Sequence, residues 1–590
     1  MSTQLKNAFN EDLTLTREQE ACLNYNGDKM LMVKGVAGAG KSLIIQALAK
    51  KMIDTSSNDK VAIFTFSNTL NSATKEFLKV NGSEDGNITV VTVHSYLSQV
   101  CKAMKLPYSR IPTDPLYSKL KKESLFEAIE DQKSKKGQHR LYNADYKYLI
   151  DEFDWMKDMN ISTQDRAIYL SIPRKGRGTS VRVTNTDRQV LFDLYESFCN
   201  IRKEKKQGDW SDMALHVTHN IDKIPESMKF DHILIDEAQD LSLAQMIAIT
   251  SLFTKDMVVA MDMNQRIFDK QWTLKQLGIE STTKRLTKSM RTTRQIDSLA
   301  ESVRSHNEDT LEEDDKTIRA IPEKDGPLPK IVHLESLSAE KKYITELIKA
   351  WLDQSSKISI GVIASKKESI ELYASWMTDA GIEHEIVRKD SEFSMAKPGV
   401  KIVNVYNTKG LEFTRVIIPQ FVEGHYPYRF WTSDAETMQQ YIAKSRNLVY
   451  VAMSRAQYSL TITYSGSNGS RFLGEMDPTL YEAEGLPITY YSANYQSGST
   501  SSSKGKTSDP PPFAKKSEEP IGNSLKEYFE DKGLEVVDLR KSGGCLWVVG
   551  DAKSIGKYVK EAGKLYGAFG SYAKGSKIGK RVGWWTKCKN

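Results

Sequence analysis

The stretch "GVAGAGKS", Gly35 to Ser42, decides how the rest of the chain is to be read. It follows the apolar run "MLMV", Met30 to Val33, and leads into "LIIQALAKKM", Leu43 to Met52, so a strand, a glycine-rich turn and a helix come in that order. Gly, four residues and then Gly-Lys-Ser in such a setting is the phosphate-loop pattern. Its physical basis is that a glycine-rich turn lets successive backbone NH groups converge on one anion, while the helix N-terminus adds a partial positive charge. Gly35, Val36, Ala37, Gly38, Ala39 and Gly40 are thus expected to cradle phosphate oxygens, Lys41 to neutralise the β and γ phosphates, and Ser42 to ligate magnesium. A nucleoside triphosphate with Mg2+ is the expected ligand, and an α/β fold the expected frame.

Such a fold also needs an aspartate at the end of a buried parallel strand, expected next to the loop strand. Two stretches offer one. "ILIDEAQD", Ile233 to Asp240, puts Asp236 and Glu237 directly behind a continuous apolar run, as a strand covered on both faces requires. "YLIDEFDW", Tyr148 to Trp155, carries the similar pair Asp151 and Glu152, but its Leu149, Ile150, Phe153 and Met156 recur at the spacings of an amphipathic helix. The metal is therefore assigned to Asp236 and activation of the attacking water to Glu237. Asp151 and Glu152 are expected to face solvent or a neighbouring helix.

A chain of 590 residues is too long for one core and predicts several domains. With 39% hydrophobic and 27% charged residues the composition is that of a globular protein. No run approaches the ~18 consecutive apolar residues of a membrane span, and the start "MSTQLKNAFNEDL" has no apolar core of a signal peptide. The five cysteines are odd in number and scattered, which fits neither a zinc pattern nor a disulfide framework. An intracellular, cytoplasmic home and no membrane partner are expected. Net charge is +7, and the interval from Ile521 to Asn590 alone holds 14 Lys and Arg against 7 Asp and Glu, so the preceding residues balance.

"DEAQD" resembles the acidic motif of the UvrD/Rep-type helicases of superfamily one, and further motifs of that family follow in its order between about Leu15 and Tyr464. The resemblance implies that Gln19 in "LTREQEACL" reads adenine, and that "TFSNTLNSA", with Ser67 and Asn68, and "VTVHSYL", with His94, contact DNA. It implies that Gln265 in "MDMNQRIF" senses the γ-phosphate, that Arg291 in "LTKSMRTTRQI" and Arg455 in "LVYVAMSRA" are arginine fingers, and that Glu412 in "NTKGLEF" contacts ribose. Charge placed around a γ-phosphate is what phosphoryl transfer mostly needs, and fingers from a second domain arrive only when the domains close. There are departures. Ser289 and Met290 stand where the family usually has Asn-Tyr, so the aromatic that commonly stacks on adenine is missing. Asn404 and Tyr406 replace the usual threonine and histidine, and Tyr406 can still stack on a base or donate a hydrogen bond. Trp272 is out of register with the tryptophan that often follows Gln265, and reads either as a base-stacking residue or as a packed aromatic.

The implied architecture is α/β, with two RecA-like P-loop domains, a mostly helical insertion and a small C-terminal α/β module. Residues 1–100 with 221–280 form the first RecA-like domain and 281–475 the second. The insertion, 101–220, carries the basic runs "KLKK", "KSKK", "RKGRG" and "RKEKK", which suit either a nucleic-acid face or a merely solvated one. "ISIGVIAS" and the helix after it use part of the interval between Arg291 and Lys409, so the large second insertion of the Rep type is expected to be absent or reduced. Residues 476–520 are an extension and a Ser-, Lys- and Pro-rich linker. In 521–590 a strand, a turn, a strand and a helix are expected, followed by Lys574, Lys577, Lys580, Arg581 and Lys587 interleaved with Tyr566, Phe569, Tyr572, Trp584 and Trp585. That module binds nucleic acid, docks a protein partner, or has no ligand. The resemblance implies an ATP-dependent motor on single-stranded and tailed duplex DNA, moving 3′ to 5′. Alternatives are an ATP-gated clamp or remodeller that does not unwind, and a motor whose track is RNA.

Overall fold

The computed structural model describes residues 5–6, 12–26, 30–66, 68–82, 87–105, 115–174, 183–262, 272–310, 319–388, 397–428 and 435–491. In the C-terminal module it describes 526, 529–530, 532, 534–538, 546–549, 554–559, 570–574 and 582–586. The chain divides into two units, Met1–Tyr495 and Gln496–Asn590.

The first unit opens with a short antiparallel pair, β1 (Leu5–Lys6) and β2 (Asp12–Leu13), and α1 (Arg17–Leu23), which Thr16 and Gln19 close with a reciprocal capping box. β3 (Met30–Gly35) turns through the glycine-rich loop into α2 (Lys41–Thr55). β4 (Val61–Thr65), α3 (Asn68–Val80), β5 (Ile88–Thr92) and α4 (Val93–Ala103) follow. The chain then leaves the sheet for α5 (Pro115–Lys136), α6 (Tyr146–Asp158), α7 (Arg166–Ser171), α8 (Asn185–Glu204) and α9 (Trp210–Thr218). It returns in β6 (Phe230–Ile235), α10 (Leu243–Thr250), β7 (Phe253–Met261), α11 (Leu274–Leu277) and β8 (Ser281–Leu286).

The strand order is β5-β4-β6-β7-β3-β8, parallel throughout. The apolar runs have a direct cause. Met32, Phe64, Ile233, Ile235 and Val259 enter the core on one face, and Leu31, Val33, Ile63, Leu234 and Val258, their neighbours in sequence, enter the core on the other. One expectation fails: β6, which carries the acidic stretch, is not beside β3, because β7 lies between them.

"YLIDEFDW" lies in α6, as its periodicity requires. Asp151 is exposed, but Glu152 is fully buried and accepts from Arg174 and from the Tyr169 hydroxyl at 2.8 Å. Its expected place toward a neighbouring helix holds; its exposure to solvent does not, because a cation and a phenol supply the hydrogen bonds that water would give. The insertion has its own core around Leu149, Phe153, Tyr195 and Phe198. α9 is different, since Met213, Ala214 and Val217 pack into the core beneath the first sheet.

The second sheet is built from β9 (Lys330–Leu334), β10 (Ser359–Ala364), β11 (His384–Val387), β12 (Gly399–Asn404), β13 (Phe413–Ile418), β14 (Ala456–Ser465) and β15 (Glu482–Gly485). Its order is β11-β12-β10-β13-β14-β9-β15, again parallel. α12 (Arg294–Arg304), α13 (Leu337–Gln354), α14 (Lys367–Asp379) and α15 (Ala435–Met453) accompany it. Two parallel-stranded α/β sheets of this kind are a pair of RecA-like domains. Among the described residues, the interval from Arg291 to Lys409 holds only this sheet's strands and helices and short 3-10 turns. No helix among them is long and apolar enough to cross a membrane.

The second unit is an antiparallel sheet, β16 (Val536–Asp538), β17 (Leu546–Val549), β18 (Gly570–Lys574) and β19 (Val582–Thr586), ordered β16-β17-β19-β18. A helical segment at Ser554–Val559 follows β17, as expected from the sequence. Of the aromatics read either as base contacts or as core, Trp584 is in the core, with Phe529, Leu546, Val548 and Ile555. Tyr566, Phe569, Lys577, Lys580, Arg581 and Lys587 lie outside the described residues.

Candidate nucleotide site and strand contacts

The loop adopts the backbone that only glycine takes cheaply, with φ of 72° at Gly38 and 86° at Gly40. Gly40 is the N-cap of α2, so the helix N-terminus opens directly under the loop. Lys41 Nζ donates to the carbonyls of Gly35 at 3.0 Å and Val36 at 2.8 Å and to Asp262 Oδ2 at 3.1 Å. Asp262 follows β7, the strand between β3 and β6, and sequence reasoning missed it. The signal was present, because "MVVAM" before Asp262 has the same apolar shape as "ILI" before Asp236.

Each residue of "DEAQD" has a separate role in the packing. Asp236 accepts from the Ser42 hydroxyl, and burial, reinforced by the Glu237 carboxylate, pushes its carboxyl up to about 6. Two buried carboxyls beside a hydroxyl make a hard oxygen donor set that a divalent cation would relieve, so Ser42 and Asp236 fit Mg2+. Glu237 sits in the left-handed region at φ 56°, an uncommon conformation for a residue with a Cβ. Its NH donates to Asp236 Oδ1 at 3.0 Å, and its carboxylate accepts from the Gln239 amide. Gln239 Oε1 in turn accepts from the Asp262 NH at 3.0 Å, tying the acidic turn to the end of β7. Ala238 O accepts from Trp272 Nε1 at 3.3 Å. Asp240, fully buried, pairs with Lys409 of "NTKGLEF" in the second domain.

The second domain closes directly over the loop. Met290 NH donates to Gly38 O at 2.9 Å, and a Cβ at Gly38 would meet Arg291 Cβ at 2.6 Å, so this glycine permits the approach. Arg291 Nε donates to Glu412 Oε2 at 2.8 Å, which joins the expected finger to the expected ribose contact. Arg455 is 1% exposed, and it donates to the carbonyls of Val451 at 2.9 Å, Thr408 at 3.4 Å and Leu411 at 3.3 Å. Burial, and then the Arg291 charge, lower its pKa, and nearby Glu237 works the other way. A cleft of about 420 Å³ is lined by Gly38, Gly40, Lys41, Ser42 and Glu237 from one domain and by Met290, Arg291, Glu412 and Arg455 from the other. Gln19 is buried at its rim, its Nε2 donating to Ala39 O at 3.0 Å. Where an aromatic was missing from the sequence, the 50% exposed Met290 stands.

The expected strand contacts are spread over both domains. Asn68 is exposed at the start of α3, and a Cβ at Gly410 would meet Leu70 Cδ1 at 2.6 Å, so α3 abuts the loop that follows Tyr406. Tyr406 is 44% exposed. His94, in α4, faces the amide of Gln245 at 3.1 Å; the amide nitrogen can only donate, so imidazole Nε2 accepts. Its ring lies 5.4 Å, edge-on, from the exposed Trp210, an aromatic that sequence reasoning did not single out. Trp272 is a packed aromatic: at 8% exposure, bonded to Ala238 and within the core under the first sheet, it offers no open face for a base. Ser67 and Gln265 lie outside the described residues.

No curated protein matches the chain. Among solved structures, the C-terminal domain of a possible DNA helicase from Lactobacillus plantarum WCFS1 is similar at 21% identity, covering 33% of this chain and 99% of that one with a TM-score of 0.25. The family model of the UvrD/REP helicase N-terminal domain matches residues 15–272, and that of the UvrD-like helicase C-terminal domain matches 387–467. With both halves present in order on two parallel α/β sheets, the chain belongs to the UvrD/Rep-type helicases of superfamily one.

Proposed function

We propose that this chain is an ATP- and magnesium-dependent motor that walks 3′ to 5′ on single-stranded DNA and separates duplexes, in repair, recombination or defence against foreign DNA. The observation that carries the reading is the single cleft shared by the phosphate loop and Glu237 on one side and Arg291, Glu412 and Arg455 on the other. Gly35 to Gly40 cradle the phosphates, and Lys41 exchanges Asp262 and two carbonyls for the β and γ oxygens. Ser42 and Asp236 hold Mg2+, which neutralises phosphate charge when bound. Glu237 takes a proton from the attacking water while the bond from the γ-phosphorus to the bridging oxygen breaks. Arg291 and Arg455 stabilise the charge that develops, a contribution on the order of 10³ to 10⁵ for such a finger. Gln19 reads adenine, Glu412 contacts ribose once Arg291 turns to phosphate, and Gln265 senses the γ-phosphate. Ser67, Asn68, His94 and Tyr406 touch the strand, so its binding and domain closure act on one another.

Strand displacement with DNA and RNA duplexes bearing a 3′ or a 5′ tail tests this. Displacement of the 3′-tailed DNA is expected. Displacement of 5′-tailed DNA alone reverses the polarity, and a preference for RNA changes the track. Hydrolysis stimulated by DNA without any displacement would replace the motor by a clamp or remodeller.

A further inference from the structure

We infer that Gln239 is a positioning residue for hydrolysis: its amide aims the Glu237 carboxylate at the attacking water, from an anchor on the strand end that also holds Lys41. The side chain is fully buried, two positions beyond Glu237, in the 3-10 turn Ala238–Asp240. Its Oε1 accepts from the Asp262 NH at 3.0 Å, and its Nε2 donates to Glu237 Oε2. These two partners allow one orientation of the amide. A backbone NH only donates and an ionised carboxylate only accepts, so a flipped amide would set NH against NH and oxygen against oxygen. The donor is thereby fixed toward Glu237.

Glu237 needs such a hold. It lines the cleft, and its left-handed backbone sets where the side chain starts but not the torsions of a long acid. A general base has to come within about 3 Å of the proton it takes, and a displacement of about 1 Å can cost ~10²-fold in rate. The turn that carries Gln239 is itself fastened on either side of it: Ala238 O accepts from Trp272, and Asp240 pairs with Lys409 of the second domain. The far anchor is Asp262. Its NH holds Gln239, and its carboxylate accepts from Lys41 Nζ at 3.1 Å, while the other two ammonium protons go to the carbonyls of Gly35 and Val36. When Lys41 turns to a triphosphate it lets go of the residue on which Gln239 rests, so filling the loop and aiming the base pass through Asp262. The inference rests on the reading of Glu237 as the general base.

The test uses the full chain with single-stranded DNA and labelled ATP. Gln239→Met keeps the length of the side chain and loses both hydrogen bonds; kcat should fall roughly 10- to 100-fold, the scale of a misplaced catalytic group, while affinity for ATP is unchanged. Gln239→Asn, too short to reach both partners but polar enough to hold water in the space, should act the same way, and it carries the test if Gln239→Met does not fold. In a Glu237→Gln background either change should lower kcat no further, because it acts through a carboxylate that is already gone. Unchanged kcat in a folded variant would overturn the inference. So would loss of ATP binding, or an equal further fall in the Glu237→Gln background, since either makes Gln239 a packing residue of the site. Glu237→Gln with the turnover of the parent would sink the assignment of Glu237, and the inference with it, by a result that needs no change at Gln239.

Discussion

Asp236 lies in an environment that opposes its own ionisation. Burial and the neighbouring Glu237 carboxylate raise its pKa from 3.8 to about 6, so without a cation the fold favours the protonated form. That stabilisation is complete below pH about 4 and is lost as pH rises through about 6. Asp236→Asn has nearly the same shape, can keep the hydrogen bonds to Ser42 and to the Glu237 NH, and carries no charge at any pH. In protein freed of metal and nucleotide it should therefore be the more stable above pH 6, on the order of 1–3 kcal/mol, with the gap closing as pH falls toward 4. Thermal melts in chelator at pH 5 and pH 8 check this, and equal melting temperatures at pH 8 would refute it. Glu152 shows why a pair of adjacent acids is not enough to mark a site: its buried carboxylate is held by Arg174 and Tyr169 within the helical insertion.

At the scale of elements, the turn after β6 is bound to the second domain by the buried pair of Asp240 and Lys409. Removing one partner of such a pair costs about 3–5 kcal/mol, whereas replacing both by neutral groups of similar size is often tolerated. Lys409→Met should thus lower the melting temperature clearly, and adding Asp240→Asn should restore most of the loss; a double variant no better than the single one would mean that the two do not act as a pair. Elements written in contiguous residues were legible: the β3 strand, its loop and α2 each leave a local pattern, as do β6 and the stripe of α6. What depends on pairing between distant segments was not. The insertion of β7 between β3 and β6, and with it the contact of Asp262 to Lys41, is set by the crossover through α10. The Asp240 to Lys409 pair spans 169 positions, and neither residue reveals its partner by spacing. Trp272 could not be assigned from sequence because stacking and packing ask for the same side chain; its burial under Ala238 decides.

For the whole molecule, the placement of the cleft makes hydrolysis a property of two domains together. The loop glycine Gly38 touches Arg291, the acidic turn is paired with Lys409, and α3 abuts the loop after Tyr406. A strand lying across Asn68, His94 and Tyr406 would therefore bias the same closure that brings Arg291 and Arg455 to the phosphates. Glu237→Gln separates the steps. The amide can still accept from Gln239, and every group proposed to hold ATP is untouched, so nucleotide binding should persist while turnover falls by ~10² or more, the usual scale for a lost general base. In the parent, turnover should rise on addition of single-stranded DNA; in the variant, ATP should still change the affinity for DNA, because closure needs ATP bound and not ATP cleaved. Labelled nucleotide and labelled oligonucleotide, titrated separately and together, read both effects. If ATP no longer altered DNA affinity in a variant that still binds it, closure would depend on hydrolysis itself, and the coupling through the shared cleft would be wrong.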